Sequence, residues 1–294
     1  MRILIIGAGA VGSVISKYLA KDKRTSEIIC ASNNIKRAKE FIDYQDRKIS
    51  LRKLDASSKT QVTKAAKGAN LVINASLPNF NETIMEVCAE VGANYQDLCS
   101  FLADFKNPEQ LKSHERFKKA RLVGLINTGI SPGITNLIAR EAADKFDIIS
   151  EIKIRLIEEQ KTSELVFAWS PEVALDELTS PPLIYKNRKF KFSKPFGDIE
   201  EYKFPPPFGA RRVVSIYSDE VSTIPLYIQT KNIDYKSCGT DIEFAKALHR
   251  LGLFNKKPVT VDSKKIIPLE FFSKIAPKVP SPKKNDAIGR GWNC

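Results

Sequence analysis

Near the N-terminus, Gly7-Ala8-Gly9-Ala10-Val11-Gly12 has the spacing GxGxxG and stands between an apolar run at 2–6 and a helical pattern. This is how a chain can hold a pyrophosphate. The first glycine permits a tight turn, the second lets phosphate approach the backbone, and the third lets helix and strand pack closely. The helix N-terminus then offers unpaired N–H groups and the positive end of its dipole. Gly7, Gly9, Ala10, Val11 and Gly12 are therefore the first candidate binding residues, and the ligand expected is a nicotinamide dinucleotide.

The second apolar run ends in Ala31-Ser32-Asn33-Asn34, followed by Lys36 and Arg37. An acid at this place would bind ribose hydroxyls; a hydroxyl and two cations suit a 2′-phosphate instead. Ser32, Asn33, Lys36 and Arg37 thus point to NADP, with NAD as the alternative. The plainer reading of Lys36 and Arg37 is a solvated helix face. Asp55 ends a third run and either contacts the adenine end or caps a helix. Ser76, Leu77 and Pro78 follow a fourth run, and Asp97 and Cys99 follow a fifth, all at the edge where open α/β sheets bind ligands. Asp97 is the candidate proton carrier, weighed against a loop-capping aspartate.

These residues need a scaffold. Short apolar runs at 2–6, 27–31, 49–54, 71–75, 95–98 and 121–126 alternate with helical patterns. Val11, Val14, Ile15, Tyr18 and Leu19 form one stripe, 35–44 reads as a second helix, and Ser57 or Ser58 caps a third. Asn81 is placed to cap a fourth, whose stripe is Ile84, Met85, Cys88 and Val91. The alternation predicts right-handed crossovers and a Rossmann doubly wound parallel sheet over 1–133. Beyond it the grammar changes. One helix at 134–143 precedes a strictly alternating stretch at 151–158, expected to be a half-exposed antiparallel strand. Strands at 212–217 and 226–231 and a helix at 241–251 ending at Gly252 complete an α+β domain of largely antiparallel strands over 134–294.

Composition bounds the rest. A chain of 294 residues accommodates two modest domains. No stretch approaches the roughly 18 unbroken apolar residues of a membrane span, and the apolar start lacks a signal-peptide cleavage pattern, so a soluble, cytoplasmic protein is expected. Five dispersed cysteines and two histidines supply neither a disulfide framework nor a metal site. The net charge of +13 is spread along the chain rather than gathered on one helix. That is the pattern of a solvated surface, so no nucleic-acid partner is expected.

Three segments together give a resemblance: the glycine loop, Asn94-Tyr95-Gln96-Asp97-Leu98, and Asn127-Thr128-Gly129-Ile130-Ser131-Pro132-Gly133-Ile134-Thr135-Asn136. With Ala168-Trp169-Ser170-Pro171, they make the chain resemble the saccharopine dehydrogenase family in order to about residue 280. The resemblance implies NAD(P)-dependent oxidation or reduction at a carbon–nitrogen centre of a small amino-acid substrate, in a homodimer. Saccharopine reductases, lysine ε-dehydrogenases and carboxynorspermidine dehydrogenases are the kinds of member implied. It places Asn127, Gly129 and Pro132 at the nicotinamide, Asp97 near the reacting amine, and Trp169 at the substrate. Arg155, Arg211 and Arg212 are the guanidinium groups available for a substrate carboxylate. Ser131 stands where saccharopine reductases carry aspartate, and Arg155-Leu156-Ile157-Glu158 replaces a Gly-Gly-Leu-Pro turn; both favour a lysine-type or unassigned amino-acid dehydrogenase. The last residues, 289–294, show no strand pattern, and the expectation is a chain shortened at its C-terminus. A cofactor-binding relative without activity, acting as a sensor or partner subunit, is the alternative.

Overall fold

The first apolar run becomes β1 (Arg2–Ile6), whose Ile3, Leu4 and Ile5 have no exposed surface, as a strand covered on both sheet faces requires. The computed structural model describes residues 1–42, 46–101, 103–162, 166–167, 170–279 and 287–293. The chain divides into two units, Met1–Ile134 and Thr135–Cys294.

In the first unit, β1 is followed by α1 (Ala10–Ala20), β2 (Glu27–Ser32), α2 (Ile35–Ala38), β3 (Ile49–Lys53), α3 (Lys59–Ala66), β4 (Leu71–Asn74), α4 (Asn81–Val91), β5 (Asn94–Asp97), α5 (His114–Ala120) and β6 (Gly124–Leu125). All strand pairs are parallel, in the order β3-β2-β1-β4-β5-β6. Strand residues alternate between two cores. Leu4, Ile6, Ile29 and Val72 pack with α3 and α4 residues on one face, and Ile3, Ile5, Ile28 and Ile73 fill the other.

Two helices depart from the sequence pattern. Val11, Val14 and Tyr18 were expected on the buried stripe of α1 but are exposed, while Gly12, Ser16 and Ala20 are buried. The helix crosses β1 closely at Gly12, so its most buried positions are small, and Ile15 and Leu19 pack beside them against the core. The helix expected over 35–44 ends at Ala38, beyond which Phe41 and Ile42 only donate turn bonds to the Ala38 carbonyl; Tyr44 falls outside the described residues.

The second unit begins with α6 (Ile134–Ala143), whose first residue ends the preceding unit, and β7 (Glu151–Lys161). It continues with α7 (Pro171–Thr179), β8 (Leu183–Lys186), β9 (Lys189–Phe192), β10 (Glu200–Phe204), β11 (Gly209–Ser215), α8 (Glu220–Thr223), β12 (Asn232–Gly239), α9 (Thr240–Arg250), β13 (Val259–Val261), β14 (Lys264–Ile266), α10 (Pro268–Ile275) and β15 (Ala287–Asn293). The main sheet runs β10-β11-β12-β7-β15, and all its pairs are antiparallel except β12 with β7.

The strand at 151–158 is therefore neither half-exposed nor purely antiparallel. It lies inside the sheet, and Arg155, expected on its solvent face, is fully buried. Its Nη2 donates to Glu200 Oε2 at 2.7 Å and Asp234 Oδ2 at 2.9 Å, and Lys236 Nζ reaches the same Glu200 oxygen at 2.8 Å. The strand expected at 226–231 does not form: a 3-10 turn, Ile224–Leu226, leads into it, Tyr227 N and Ile228 N donate back to the Ile224 carbonyl, and the next strand starts only at Asn232. The C-terminal residues expected to lack strand structure supply β15 along the free edge of β7.

No helix among the described residues is long and apolar enough to cross a membrane. Truncating Arg155 leaves two carboxylates facing each other with only Lys236 between them. Arg155→Ala is expected to cost about 3 kcal/mol of unfolding free energy, measured by urea denaturation. A loss below about 1 kcal/mol would mean that the pairs are no stronger than exposed ones.

Candidate functional site

The glycine loop has the shape its spacing implies. Gly7 takes φ +106, and a Cβ there would sit 2.4 Å from the Ala75 carbonyl group; one on Gly12 would meet the Gly7 carbonyl oxygen at 1.9 Å. Gly9 differs: a Cβ there meets nothing within 4 Å. Gly9 is the N-cap of α1, and no side chain caps the helix. Ala10 and Val11 are exposed in its first turn. The loop thus presents uncapped N–H groups across an open glycine, a cradle that fits a pyrophosphate.

On the β2–β3 side, a cavity of about 560 Å³ is lined by Asn33, Lys53, Leu54, Asp55 and Gln61. Asp55 accepts from Ser57 N at 2.9 Å and Ser57 Oγ at 2.7 Å, which holds its carboxyl below the usual range. Ser58, not Asp55, is the N-cap of α3, while Asp55, one of the residues lining the cavity, ties down the Ser57 turn that leads into the helix. Ser32 Oγ accepts from Asn34 N, and Asn34 Oδ1 accepts from Arg37 N at 3.0 Å, which caps α2. Lys36 and Arg37 are exposed on that short helix. The sequence reading missed Lys53. Its signal was its place at the end of the third strand, two residues before the acid Asp55.

Beyond β4, Ser76 N and Oγ both donate to Asn74 Oδ1, at 3.0 and 2.6 Å, fixing the turn into Leu77 and Pro78. Asn74 Nδ2 donates to Asn81 Oδ1 at 2.7 Å. Asn81 was expected to cap α4 but is wholly buried as the helix's first residue, and Phe80 takes the cap position without a side-chain bond. Its Oδ1 also accepts from Tyr95 Oη at 2.8 Å, and its Nδ2 donates to Glu109 Oε1 at 2.8 Å and to the Cys99 carbonyl at 2.9 Å.

This network continues to Asp97, which is 1% exposed. Asp97 Oδ1 accepts from Asn127 N at 2.7 Å, and Oδ2 accepts from Gln110 Nε2 at 3.1 Å. The carboxyl expected to carry a proton to substrate is thus enclosed, with both oxygens engaged by protein. Burial pushes it from 3.8 up to about 7 against the pull of the Asn127 and Gln110 bonds, with Tyr95 pulling the same way and Glu109 adding to the rise. Burial also raises Glu109. Gln110 and Glu109 were missed because an amide and an acid in a charged helical pattern look like ordinary surface residues, and Asn81 was read as a cap rather than as a network residue.

The segment 127–133 closes on itself. Asn127 adopts φ +55, Ile134 N donates to the Gly129 carbonyl at 3.1 Å, and Ser131-Pro132 is a cis peptide. A Cβ on Gly133 would lie 2.2 Å from the Gly129 oxygen.

Candidate substrate residues belong to the second unit. Arg155, expected to be available to a substrate carboxylate, is not: its guanidinium is consumed by Glu200 and Asp234 inside the sheet. Arg211 is exposed and lies 3.6 Å from Glu159. Arg212 is exposed, opposite Glu201 in the ladder. Trp169 falls outside the described residues.

Two family models match. The saccharopine dehydrogenase NADP binding domain covers residues 3–125, and the saccharopine dehydrogenase C-terminal domain covers 129–288. A carboxyaminopropylagmatine dehydrogenase from Synechocystis sp. is 25% identical over 297 residues, covering 97% of this chain and 74% of that protein. A carboxynorspermidine synthase from Vibrio cholerae is 26% identical over 306 residues, covering 94% and 73%. Among solved structures, apo saccharopine dehydrogenase (L-Glu forming) from Saccharomyces cerevisiae superposes with TM-score 0.66 at 16% identity, over 88% of this chain and 61% of that one. Homospermidine synthase from Legionella pneumophila in complex with NAD gives 0.60 at 15%, over 85% and 68%. At these identities the structural likeness is one of fold.

The raised carboxyl of Asp97 makes stability depend on pH. Between about pH 4 and pH 7 the folded chain keeps a proton that the unfolded chain releases, so stability falls as pH rises through this window. Urea midpoints of the wild type should fall from pH 5 to pH 8 relative to those of Asp97→Asn. Parallel trends in the two proteins would show that Asp97 titrates normally.

Proposed function

The chain belongs to the saccharopine dehydrogenase family, and from that premise we propose that it is an NAD(P)-dependent oxidoreductase acting on the carbon–nitrogen centre of an amino-acid-bearing amine. The observation that carries this reading is the contrast within the glycine loop: Gly7 and Gly12 have no room for a side chain, whereas Gly9 faces open space at an uncapped helix end. A turn that served packing alone would have no use for that opening.

The bound dinucleotide would supply or accept the hydride. Gly7 to Gly12 would hold its pyrophosphate, and Asn33, Lys53 and Asp55 its adenosine half. Ser76, Leu77, Pro78, Asn127, Gly129 and Pro132 would flank the nicotinamide half. We favour NADP because β2 ends without an acid and Lys36, Arg37 and Lys53 put three cations around that turn; Asp55 is the feature that speaks for NAD.

For the substrate, a carboxylated polyamine is favoured over saccharopine or lysine. The names of the cyanobacterial and Vibrio relatives, each aligned over nine-tenths of this chain or more, support it. So do Ser131 and the 155–158 segment, where the chain departs from the saccharopine pattern. Arg211 and Arg212 stay as the proposed carboxylate holders, and a homodimer stays part of the proposal.

The test is oxidation of a carboxylated polyamine, of lysine and of saccharopine with NADP⁺, followed through NADPH absorbance. Turnover confined to the polyamine supports the reading, turnover on saccharopine or lysine alone contradicts its substrate class, and nucleotide binding without turnover on any of them supports a cofactor-binding protein without activity. Within the loop, Gly9→Ala should keep the wild-type melting temperature and weaken NADPH binding by about tenfold or more. Gly12→Ala should instead lower the melting temperature, since its Cβ overlaps the Gly7 carbonyl. Equal melting losses in the two variants would contradict the open-cradle account.

A further inference from the structure

Asp97 reaches the 127–133 loop through its backbone as well as its side chain. Its main-chain oxygen accepts from Thr128 N at 3.0 Å and Thr128 Oγ1 at 2.5 Å, beside the carboxylate bond to Asn127 N. Gln110 Nε2 bridges the other carboxylate oxygen to Asn127 Oδ1 at 3.1 Å, and Ser100 Oγ donates to that same amide oxygen at 3.0 Å. Asn127 is held at φ +55, in the left-handed region that asparagine enters more readily than most residues. Asn127 Nδ2 and Gln110 Oε1 are buried without a hydrogen-bond partner among the described residues. The cluster therefore serves the loop's geometry at the expense of full pairing.

The sheet order says what the loop faces. The order reverses between β1 and β4, and a dinucleotide crosses an open α/β sheet at that point, with one half on each side. The cavity at Asn33, Lys53 and Asp55 lies on the β2–β3 side, which leaves the β4–β6 side, with Asp97 and the 127–133 loop, to the nicotinamide half.

We propose that Asp97 is a positioning residue that, with Gln110 as its bridge, fixes Asn127 and hence the 127–133 loop against the nicotinamide half, and is not the group that exchanges a proton with substrate. This rests on the nucleotide-binding reading above. A proton carrier has to come within hydrogen-bond reach of the reacting atom, and both oxygens of Asp97 point at protein donors. Above about pH 7, where Asp97 is ionised, its carboxylate accepts from both donors at once. An asparagine in its place accepts with one atom and turns an NH₂ group toward the other donor.

The test separates the two ends of the dinucleotide. Wild type, Asp97→Asn and Gln110→Leu are titrated by fluorescence with NADPH and, in parallel, with 2′-phospho-ADP-ribose, which lacks only the nicotinamide. Both variants should lose about tenfold in NADPH affinity, the scale of one broken hydrogen bond to a charged group, with binding of 2′-phospho-ADP-ribose unchanged. Gln110→Leu leaves the carboxylate in place, so it carries the test if Asp97→Asn does not fold. Equal losses for both ligands, or no loss for either, overturn the proposal. So does an Asp97→Asn protein that binds NADPH normally but loses one limb of the pH dependence of kcat, the signature of a proton carrier. If the wild type binds neither ligand, the nucleotide-binding reading itself fails and the proposal falls with it.

Discussion

At the end of β1 the backbone passes through a gap with no room for side chains. Gly7 is pressed against the end of β4 at Ala75, and Gly12 brings the first turn of α1 onto the Gly7 carbonyl. Much of the first unit follows from that contact. It holds α1 so near the sheet that its buried face is Gly12, Ser16 and Ala20, and it turns Val11, Val14 and Tyr18 outward. It also aims the uncapped end of α1 across Gly9, where the backbone is bare. One set of glycines thus sets the packing and leaves the helix end open, two of them placed for closeness and one for openness.

The other side of the sheet is organised by polar burial. Asn74, Asn81, Tyr95, Asp97, Glu109, Gln110 and Asn127 share a hydrogen-bonded network at the C-terminal ends of β4 and β5, joined through the Cys99 carbonyl, in a chain that could have placed apolar residues there. Such a network is expensive: each buried polar atom without a partner costs about 1–3 kcal/mol, and Glu109 Oε2, Gln110 Oε1 and Asn127 Nδ2 have none among the described residues. Burying one Ile or Val contributes about 1.5–3 kcal/mol, so the apolar residues packed on either face of the sheet can offset that cost. What the network gives in return is a loop, 127–133, fixed in a conformation that an apolar core could not specify.

The strand–helix alternation and the glycine loop were legible in the sequence because both reflect local constraints: apolar runs of strand length, and positions where a Cβ cannot fit. Asp97 was legible as a notable acid but not as an enclosed one, since its partners Gln110 and Asn127 are 13 and 30 positions away in the chain. Arg155 illustrates the same limit. Alternation placed it on a wet face, and only the sheet brings Glu200 and Asp234, distant in sequence, to neutralise it. The edge strand β15 was hidden because Gly289 and Gly291 carry no strand signal, and its pairing comes from β7.

The central claim is that the loop at Gly7 to Gly12 holds a nicotinamide dinucleotide, and calorimetric titration of the purified chain with NADPH and with NADH tests it most directly. The account predicts saturable one-to-one binding, tighter for NADPH. Tighter binding of NADH would contradict the cofactor preference and give Asp55 the deciding role. Heat of dilution alone with both nucleotides would contradict the claim itself.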